Sequence, residues 1–365
     1  MSNTKLYRYE PDYVAVPGEI LEENLEAQNI KKVDLASRCG LSTKTISQII
    51  NGTASISPET ALGFQKVLGV SANIWLNLEA DYRLFLAQQD LYKRLSKSGA
   101  WLNKFPIKEL INKGFIEAKE SIAEKTDQLL VFFGVSDIES WELSYNKLEV
   151  AFRHSPSFKS LPEAIATWLR IGEICAAKVK CKPFDKSQFS EALNAIRILT
   201  PEEPKIFEPR LKEMCAEAGV ALVFLEELPG MHLSGATRWI TKDKALIMLS
   251  LRHKSDDHFW FSFFHEAGHI LSGGKKSIFL DESNSWEDPE EDQANNFASD
   301  LLIPKQEYES FLKDGKFTSS SVTCFAQNLG IAPGIVVGRL QHEQVIGWNS
   351  LYRLKRRFRL VEVCS

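Results

Sequence analysis

His265-Glu266-Ala267-Gly268-His269 is the stretch on which the reading of the C-terminal third turns. On an α-helix, residues four apart share a face, so both imidazoles can point at one zinc ion. Glu266 then projects beside the ion, where it can take a proton from a metal-bound water and pass it to a leaving amine. The flanks read as helix: an acidic start at Asp256-Asp257, apolar Phe261, Phe264, Ile270 and Leu271, and a stop at Gly273-Gly274. The plainer alternative is a buried, hydrogen-bonded histidine pair. With 7 histidines in 365 residues, chance produces such a pattern in roughly one chain in a hundred, so the surroundings must carry the argument.

A catalytic zinc site needs a third protein ligand and an open position for water. Downstream lies Glu287-Asp288-Pro289-Glu290-Glu291-Asp292-Gln293-Ala294-Asn295-Asn296-Phe297-Ala298, a helix stopped by Pro304. Glu291, Ala294, Asn295, Ala298 and Leu302 share one face of it, which sets Glu291 to reach inward while Glu290 and Asp292 point elsewhere. Any single acid in this run can equally belong to a solvated first turn. His232, Arg238, His253 and His258 are candidates for stabilising an oxyanion, though each also fits a structural or surface role.

Before the metal motif, the pattern is that of a small sheet. Val220 to Leu225, Ala236 to Ile240 and Ala245 to Leu251 read as strands, the last two joined by the hairpin-like turn Lys242-Asp243-Lys244. A helix from Phe207 to Ala218 precedes them and ends at Gly219. Residues from 91 to 204 read as further helices, with Ser136-Asp137-Ile138-Glu139 as a capping box. Pro162-Glu163 opens a helix carrying Ile165, Trp168, Leu169 and Ile171. Phe189, Leu193, Ile196 and Leu199 form another stripe, and Pro201 and Pro204 bracket a linker.

Residues 1–90 read as five short helices. Within them Ala36, Gly40 and Ile46 have the +4, +10 offsets of a helix-turn-helix unit: a small contact residue, a turn glycine and a branched apolar plug. Ser42 is a natural cap for the reading helix. Thr43, Lys44, Ser47 and Gln48 lie on its outward face, and Lys31, Lys32 and Arg38 are set to hold phosphates. Ala326, Gly330 and Val336 repeat the offsets. There the corresponding helix, Ile331-Ala332-Pro333-Gly334-Ile335-Val336-Val337, is apolar, so this second copy reads as a packing unit.

Length and composition frame these parts. A chain of 365 residues suits two to three domains, and 44% hydrophobic with 25% charged residues is ordinary for a globular protein. No apolar run reaches the length of a membrane span, and Met1 to Glu10 is polar, which predicts a cytoplasmic location without a membrane partner. Cys175 and Cys181 match no zinc or redox spacing, and all six cysteines are expected as reduced thiols. The net charge of −4 does not mark a nucleic-acid binder, and residues 1–90 hold 8 Lys/Arg against 11 Asp/Glu. DNA contact must therefore come from a local basic patch and be steeply salt-dependent. Arg353, Lys355, Arg356, Arg357 and Arg359 form a second basic cluster, read as a solvated tail or a charged edge strand.

Two resemblances sharpen the reading. Pro17-Gly18-Glu19-Ile20-Leu21, Leu35-Ala36, Gly40-Leu41-Ser42, Ile46 to Gly52 and Trp75-Leu76-Asn77-Leu78 resemble the HigA-like antitoxin branch of the Xre helix-turn-helix family, over residues 13–88. That resemblance implies a homodimer on a palindromic operator, with DNA contacts at Lys32, Ser42, Thr43, Lys44, Ser47, Gln48 and Asn51. Residues 205–345 resemble the ImmA/IrrE zinc peptidase-like family. The carriers are His265 to His269 with Glu291, Ala294, Asn295, Phe297, Ala298, Leu301, Leu302 and Pro304. That resemblance implies a zincin-like fold, a zinc ion (Zn2+) held by His265, His269 and Glu291, Glu266 as general base, and cleavage of a partner repressor. The expected architecture is mainly α with a small β-sheet. It comprises a five-helix helix-turn-helix domain at 1–90, a helical linker or middle domain at 91–204 and an α+β peptidase-like domain at 205–365. The expected function is a regulator or antitoxin whose peptidase-like part cleaves a regulatory protein or the chain itself. The alternative is a non-catalytic antitoxin or scaffold that binds operator DNA and a toxin, the zinc domain serving as sensor or dock. A digestive protease fits neither the DNA module nor the location.

Overall fold

The computed structural model describes residues 14–153, 161–272, 279–281 and 289–359. Met1 to Glu10, Gly273-Gly274 and Glu287-Asp288 lie outside the described residues. The chain divides into two compact units, Met1–Ser98 with Ser121–Glu124, and Gly99–Glu120 with Lys125–Ser365.

The first unit is helical: α1 (Pro17–Ala27), α2 (Lys32–Cys39), α3 (Thr43–Ile50), α4 (Pro58–Leu68) and α5 (Ala72–Leu95). Each boundary has a local cause. Proline opens α1 and α4, where its missing N–H costs nothing. Ser42 and Ser57 cap α3 and α4 by accepting the backbone N–H of Thr45 and Thr60. Gly40 ends α2 at φ 68°, a left-handed turn that a side chain would strain. Leu21, Leu35, Ile46, Ile49, Phe64 and Trp75 close the core, the last two edge-to-face at 5.5 Å. Helix α5 runs past residue 90.

The second unit begins with α6 (Gly99–Leu102), α7 (Ile107–Asn112), the greater part of α8 (Ile122–Phe133) and α9 (Ile138–Arg153). Trp101, Phe105, Phe133, Trp141 and Tyr145 pack ring against ring at 4.6–5.7 Å, an aromatic cluster the sequence pattern did not reveal. Asp137, rather than Ser136, caps α9 by accepting the Ser140 N–H at 2.7 Å. Then follow α10 (Pro162–Lys178), α11 (Lys186–Arg197), α12 (Pro204–Glu217), β1 (Val220–Phe224), β2 (Gly235–Thr241), β3 (Lys244–Leu249), α13 (Asp256–Ser272), β4 (Phe279–Asp281), α14 (Pro289–Leu302), α15 (Lys305–Asp314), α16 (Ser319–Leu329) and α17 (Pro333–His342). Phe189, Leu193 and Ile196 of α11 belong to the same hydrophobic cluster as α12 and α13. Pro201 and Pro204 thus lie at an exposed turn between two helices that share one hydrophobic cluster.

The sheet order is β1-β3-β2-β4, with β1 and β3 parallel and the other pairs antiparallel. The short edge strand β4 has no counterpart in the sequence pattern. Successive residues of a strand face opposite sides, and both sides are covered here. On one, Leu222, Ile247 and Leu249 share a cluster with Phe259, Trp260 and Phe263 of α13. On the other, α10 docks: the Trp168 indole N–H donates to the Leu225 carbonyl at 3.0 Å.

The C-terminal basic cluster divides: Arg353, Arg357 and Arg359 are exposed, as a solvated segment would be, but Lys355 and Arg356 are not. Lys355 Nζ lies 2.6 Å from Asp257 Oδ2, and Arg356 Nε lies 3.2 Å from Asp256 Oδ2. The Arg356 guanidinium also donates to the carbonyls of Thr200, Pro201 and Glu202. Burial pushes the Asp256 carboxyl up, and Arg356 pulls against that. The segment straps down the first turn of α13. Cys39, Cys181, Cys215 and Cys324 are free thiols, but Cys175 is disulfide-bonded, which corrects the expectation of six reduced thiols. A cysteine count cannot say which side chains the fold brings within bonding range. No single helix among the described residues is long and apolar enough to cross a membrane.

Candidate metal centre and nucleic-acid interface

Helix α13 is buried along nearly its whole length. Phe259, Trp260, Phe263, Phe264, Ala267 and Ile270 fix it in the core, which leaves one inward stripe for polar side chains. His265 and His269 occupy that stripe, one turn apart, and are almost fully buried. Helix α14 crosses beside it. The crossing depends on small residues: a Cβ added at Gly268 would stand 3.1 Å from the Phe297 ring and 3.2 Å from Ala294 Cα. With glycine and alanine at the contact, Glu291 and Asn295 of α14 reach the imidazoles.

The resulting geometry is compact. His265 Nε2 and His269 Nε2 are 3.0 Å apart, and the Glu291 carboxylate oxygens lie 3.2 Å from the first and 3.3 Å from the second. Ligand atoms about 2.0–2.1 Å from a tetrahedral ion stand about 3.4 Å from one another. The three side chains therefore fit one small divalent cation, and they form the group among the described residues whose ligand atoms all fall within 4.8 Å. Burial alone would raise the Glu291 carboxyl, but its contacts with His265 and His269 outweigh that and hold the group well below the usual carboxylate range. It is an anion at neutral pH, as a ligand must be.

Two further residues act on this set. His265 Nδ1 is 2.9 Å from Asn295 Oδ1. A carbonyl oxygen only accepts, so the proton sits on Nδ1 and the Nε2 lone pair is left for the cation. Asn295 lies in the quoted helix pattern without a role that the pattern could assign; its signal is a polar residue one turn after Glu291 on a face otherwise made of small side chains. Glu266 is wholly buried and turns toward β2, where Thr237 Oγ1 is 2.6 Å from its Oε2. Nothing in the sequence singles out Thr237, because its partner is 29 residues away on another element.

The candidates for an oxyanion donor go elsewhere. Arg238 lies on the opposite face of β2 and pairs with Glu173 of α10. His253 and His258 stack on each other at 4.1 Å, His258 lying about two turns before His265 on α13. Burial pushes the His258 imidazole down. The His232 imidazole acts electrostatically on Glu227, and its backbone carbonyl accepts from Arg252.

In the first unit, α2 and α3 meet through the Gly40 turn, with Ala36 and Ile46 buried between them. Thr43, Lys44 and Gln48 are exposed on α3, Asn51 is exposed just past its end and Ser47 is half-buried. Ser42 is engaged as the cap of α3, its hydroxyl accepting the Thr45 N–H at 3.0 Å. Lys31 and Arg38 are exposed. Lys32 is not a free cation: its Nζ lies 2.6 Å from Glu22 Oε1.

The profile of the helix-turn-helix family matches residues 21–75, and that of the IrrE N-terminal-like domain matches residues 215–340. An uncharacterised HTH-type transcriptional regulator, YddM, of Escherichia coli K12 is 32% identical over 73 residues, covering 20% of this chain and 78% of the relative. A solved addiction module antidote protein of the HigA family from Coxiella burnetii is 33% identical, covers 23% of this chain and 91% of its own, and has a TM-score of 0.21. PA4674 of Pseudomonas aeruginosa, solved in complex with its operator DNA, is 32% identical, with coverages of 20% and 82% and a TM-score of 0.20.

Proposed function

The chain belongs to the helix-turn-helix family through its N-terminal module and carries a C-terminal IrrE N-terminal-like domain, and from that premise we propose that it is an operator-binding regulator of the repressor or antitoxin kind whose C-terminal part is a zinc-dependent peptidase. The observation that carries the enzymatic half is the convergence of His265, His269 and Glu291 at tetrahedral spacing, with Glu266 on the same helix. Zinc held there would polarise a peptide carbonyl and acidify a water. The chain's own residues do the rest. Asn295 orients His265, and Glu266 takes the proton of the attacking water and returns it to the departing amine. The substrate class is a regulatory protein, the chain itself included. On the DNA side, a homodimer presents two copies of α3 to a palindromic operator, with Thr43, Lys44, Ser47, Gln48 and Asn51 toward the bases and Lys31 and Arg38 toward phosphates.

Metal analysis of the purified chain is the first test, with one zinc per chain expected; no stoichiometric metal would remove the enzymatic half. Glu266→Gln is the second. It keeps all three ligands and removes the base, so zinc stays while proteolysis and release of the operator are lost.

One observation favours a second reading, a non-catalytic scaffold that docks a toxin. His265, Glu266 and His269 are each at most 1% exposed, and structural zinc sites are closed. Unchanged proteolysis and unchanged derepression in Glu266→Gln would select it.

A further inference from the structure

Helix α13 carries one polar stripe, and the metal centre uses only its C-terminal half. His258, Ser262, His265 and His269 follow one another at spacings of four, three and four, so all four project from the same face. At the N-terminal end of that stripe lies a half-open cleft lined by Ser234, Arg252, His253, Lys254, His258 and Ser262 with apolar residues between them. The cleft borders the metal centre. Ser262 stands one turn before Glu266, and Ser234 precedes Gly235, where an added Cβ would meet Glu266 Oε1 at 2.6 Å.

The chemistry of the lining is one-sided. Imidazole, guanidinium, ammonium and hydroxyl groups face the cleft, and no carboxylate does among the described residues. The acids nearby are matched from behind. Glu227 Oε1 lies 3.5 Å from Arg252 Nε, and Asp257 Oδ2 lies 2.6 Å from Lys355 Nζ and 3.9 Å from His258 Nε2. Glu227 offsets the charge of Arg252, so the exposed Lys254 sets the sign of the cleft. The loop that carries these groups is held in place. Leu251 and Lys254 both adopt left-handed φ, 55° and 52°, which non-glycine residues seldom do. Such backbone persists where its surroundings enforce it. The Lys254 N–H donates to the Leu251 carbonyl at 3.0 Å, the Lys254 carbonyl accepts from the Phe358 N–H at 2.9 Å, and the Arg252 guanidinium donates to the His232 carbonyl.

A concave set of fixed donors with a cationic group suits an oxygen anion. His258 precedes His265 by seven residues, about 10 Å along the helix, which is the reach of about three residues of extended peptide. We propose that this cleft is a substrate subsite that takes the carboxylate of an Asp or Glu side chain two or three positions from the cleaved bond. This rests on the peptidase reading of the metal centre.

The test uses the zinc-loaded full-length chain with positional-scanning libraries of quenched fluorescent peptides, the products read by mass spectrometry. At one position two or three residues from the cut, Asp and Glu should be preferred over Asn and Gln by about fivefold to thirtyfold in kcat/KM, between an exposed ion pair and a charge-assisted hydrogen bond. Lys254→Asp, a residue that tolerates left-handed φ, should turn that preference toward Lys and Arg. Lys254→Asn is the neutral control and should leave acid and amide within about threefold of each other. Independently of activity, NMR of histidine-labelled chain follows the His253 and His258 imidazoles as N-acetylglutamate methylamide, its glutamine counterpart or inorganic phosphate is added. The glutamate probe should move both resonances in the parent and not in Lys254→Asp, and the glutamine probe should move neither. Equal cleavage of acid and amide peptides, or an acid preference that Lys254→Asp leaves intact, overturns the proposal. Phosphate moving the resonances while the libraries show no acid preference makes the cleft a free-anion site and overturns it too. If the parent cleaves no peptide, the peptidase reading falls by itself. The resonances then decide: selective movement with the glutamate probe upholds a carboxylate site, and none refutes it.

Discussion

The molecule holds two helix-turn-helix pairs with identical spacing, and they are used in opposite ways. In α2–α3, Ala36, Gly40 and Ile46 set the angle; in α16–α17, Ala326, Gly330 and Val336 do so. Both glycines sit at φ 68°, and Ile46 and Val336 are both fully buried. The outward face differs. Lys44 and Gln48 are exposed on α3. The positions at the same offsets on α17 are Gly334 and Gly338, and added Cβ atoms there would collide with the carboxylates of Asp256 and Asp257 at the start of α13. One pair turns its second helix to solvent, and the other presses it against the helix of the metal centre. Spacing sets the geometry of the unit, and the residues on the outer face decide what that geometry serves.

The largest effect is expected where the two pairs agree. Ile46→Ala removes a fully buried plug and should cost about 2–5 kcal/mol, with Val336→Ala near the lower end of that range. Thermal unfolding of the two variants should be similarly perturbed, yet operator binding should fail in the first and zinc retention in the second. Loss of zinc from Ile46→Ala would show that the pairs are not functionally separate.

Where they differ, exchanging the outer residues should be asymmetric. Gly338→Gln, which gives α17 the residue that α3 carries, overpacks the contact with Asp257 and should cost about 1–3 kcal/mol or more. The reverse change, Gln48→Gly, loses only helix propensity, about 1 kcal/mol. Equal shifts in melting temperature would refute the packing role assigned to α17. On DNA, Lys44→Ala with Gln48→Ala should leave stability nearly unchanged and cost about 1–3 kcal/mol of operator discrimination for each base edge that is no longer read. Gel-shift titrations against operator and scrambled duplexes measure that difference.

The same contrast explains what the sequence disclosed. The five helices of the first unit were legible because every stop and cap lies within four residues of the element it ends: Gly40, Ser42, Ser57, Gly69. His265 and His269 were legible for the same reason, being one turn apart. Glu291 could be placed on an inward face, but its meeting with the imidazoles depends on Gly268 letting α14 approach. Thr237 holding Glu266, Arg356 pairing with Asp256 across 100 residues and the disulfide at Cys175 leave no periodic trace. The basic C-terminal cluster misleads in part, because charge density suggests solvent, whereas two of its five charges, Lys355 and Arg356, answer two buried acids. Composition counts charges; only the fold shows which of them are already paired.

That distinction gives the smallest and most specific prediction. The sequence sets Lys32 to hold a phosphate, but its ammonium is engaged by Glu22 from α1, both side chains being 45% exposed. At that exposure the pair is worth about 0.2–1 kcal/mol, so DNA can compete for the lysine and must first displace the carboxylate. Glu22→Gln removes the competitor and one like-charge repulsion of the DNA backbone without touching the buried core. Affinity for operator and for nonspecific duplex should rise together, by less than about tenfold, because a phosphate contact carries no sequence information. The salt slope should steepen by about one unit, as one more cation becomes free to replace a counterion. Lys32→Ala in that background should restore the parental slope. A slope unchanged by Glu22→Gln would place Lys32 off the DNA and confine the basic patch to Lys31, Arg38 and Lys44.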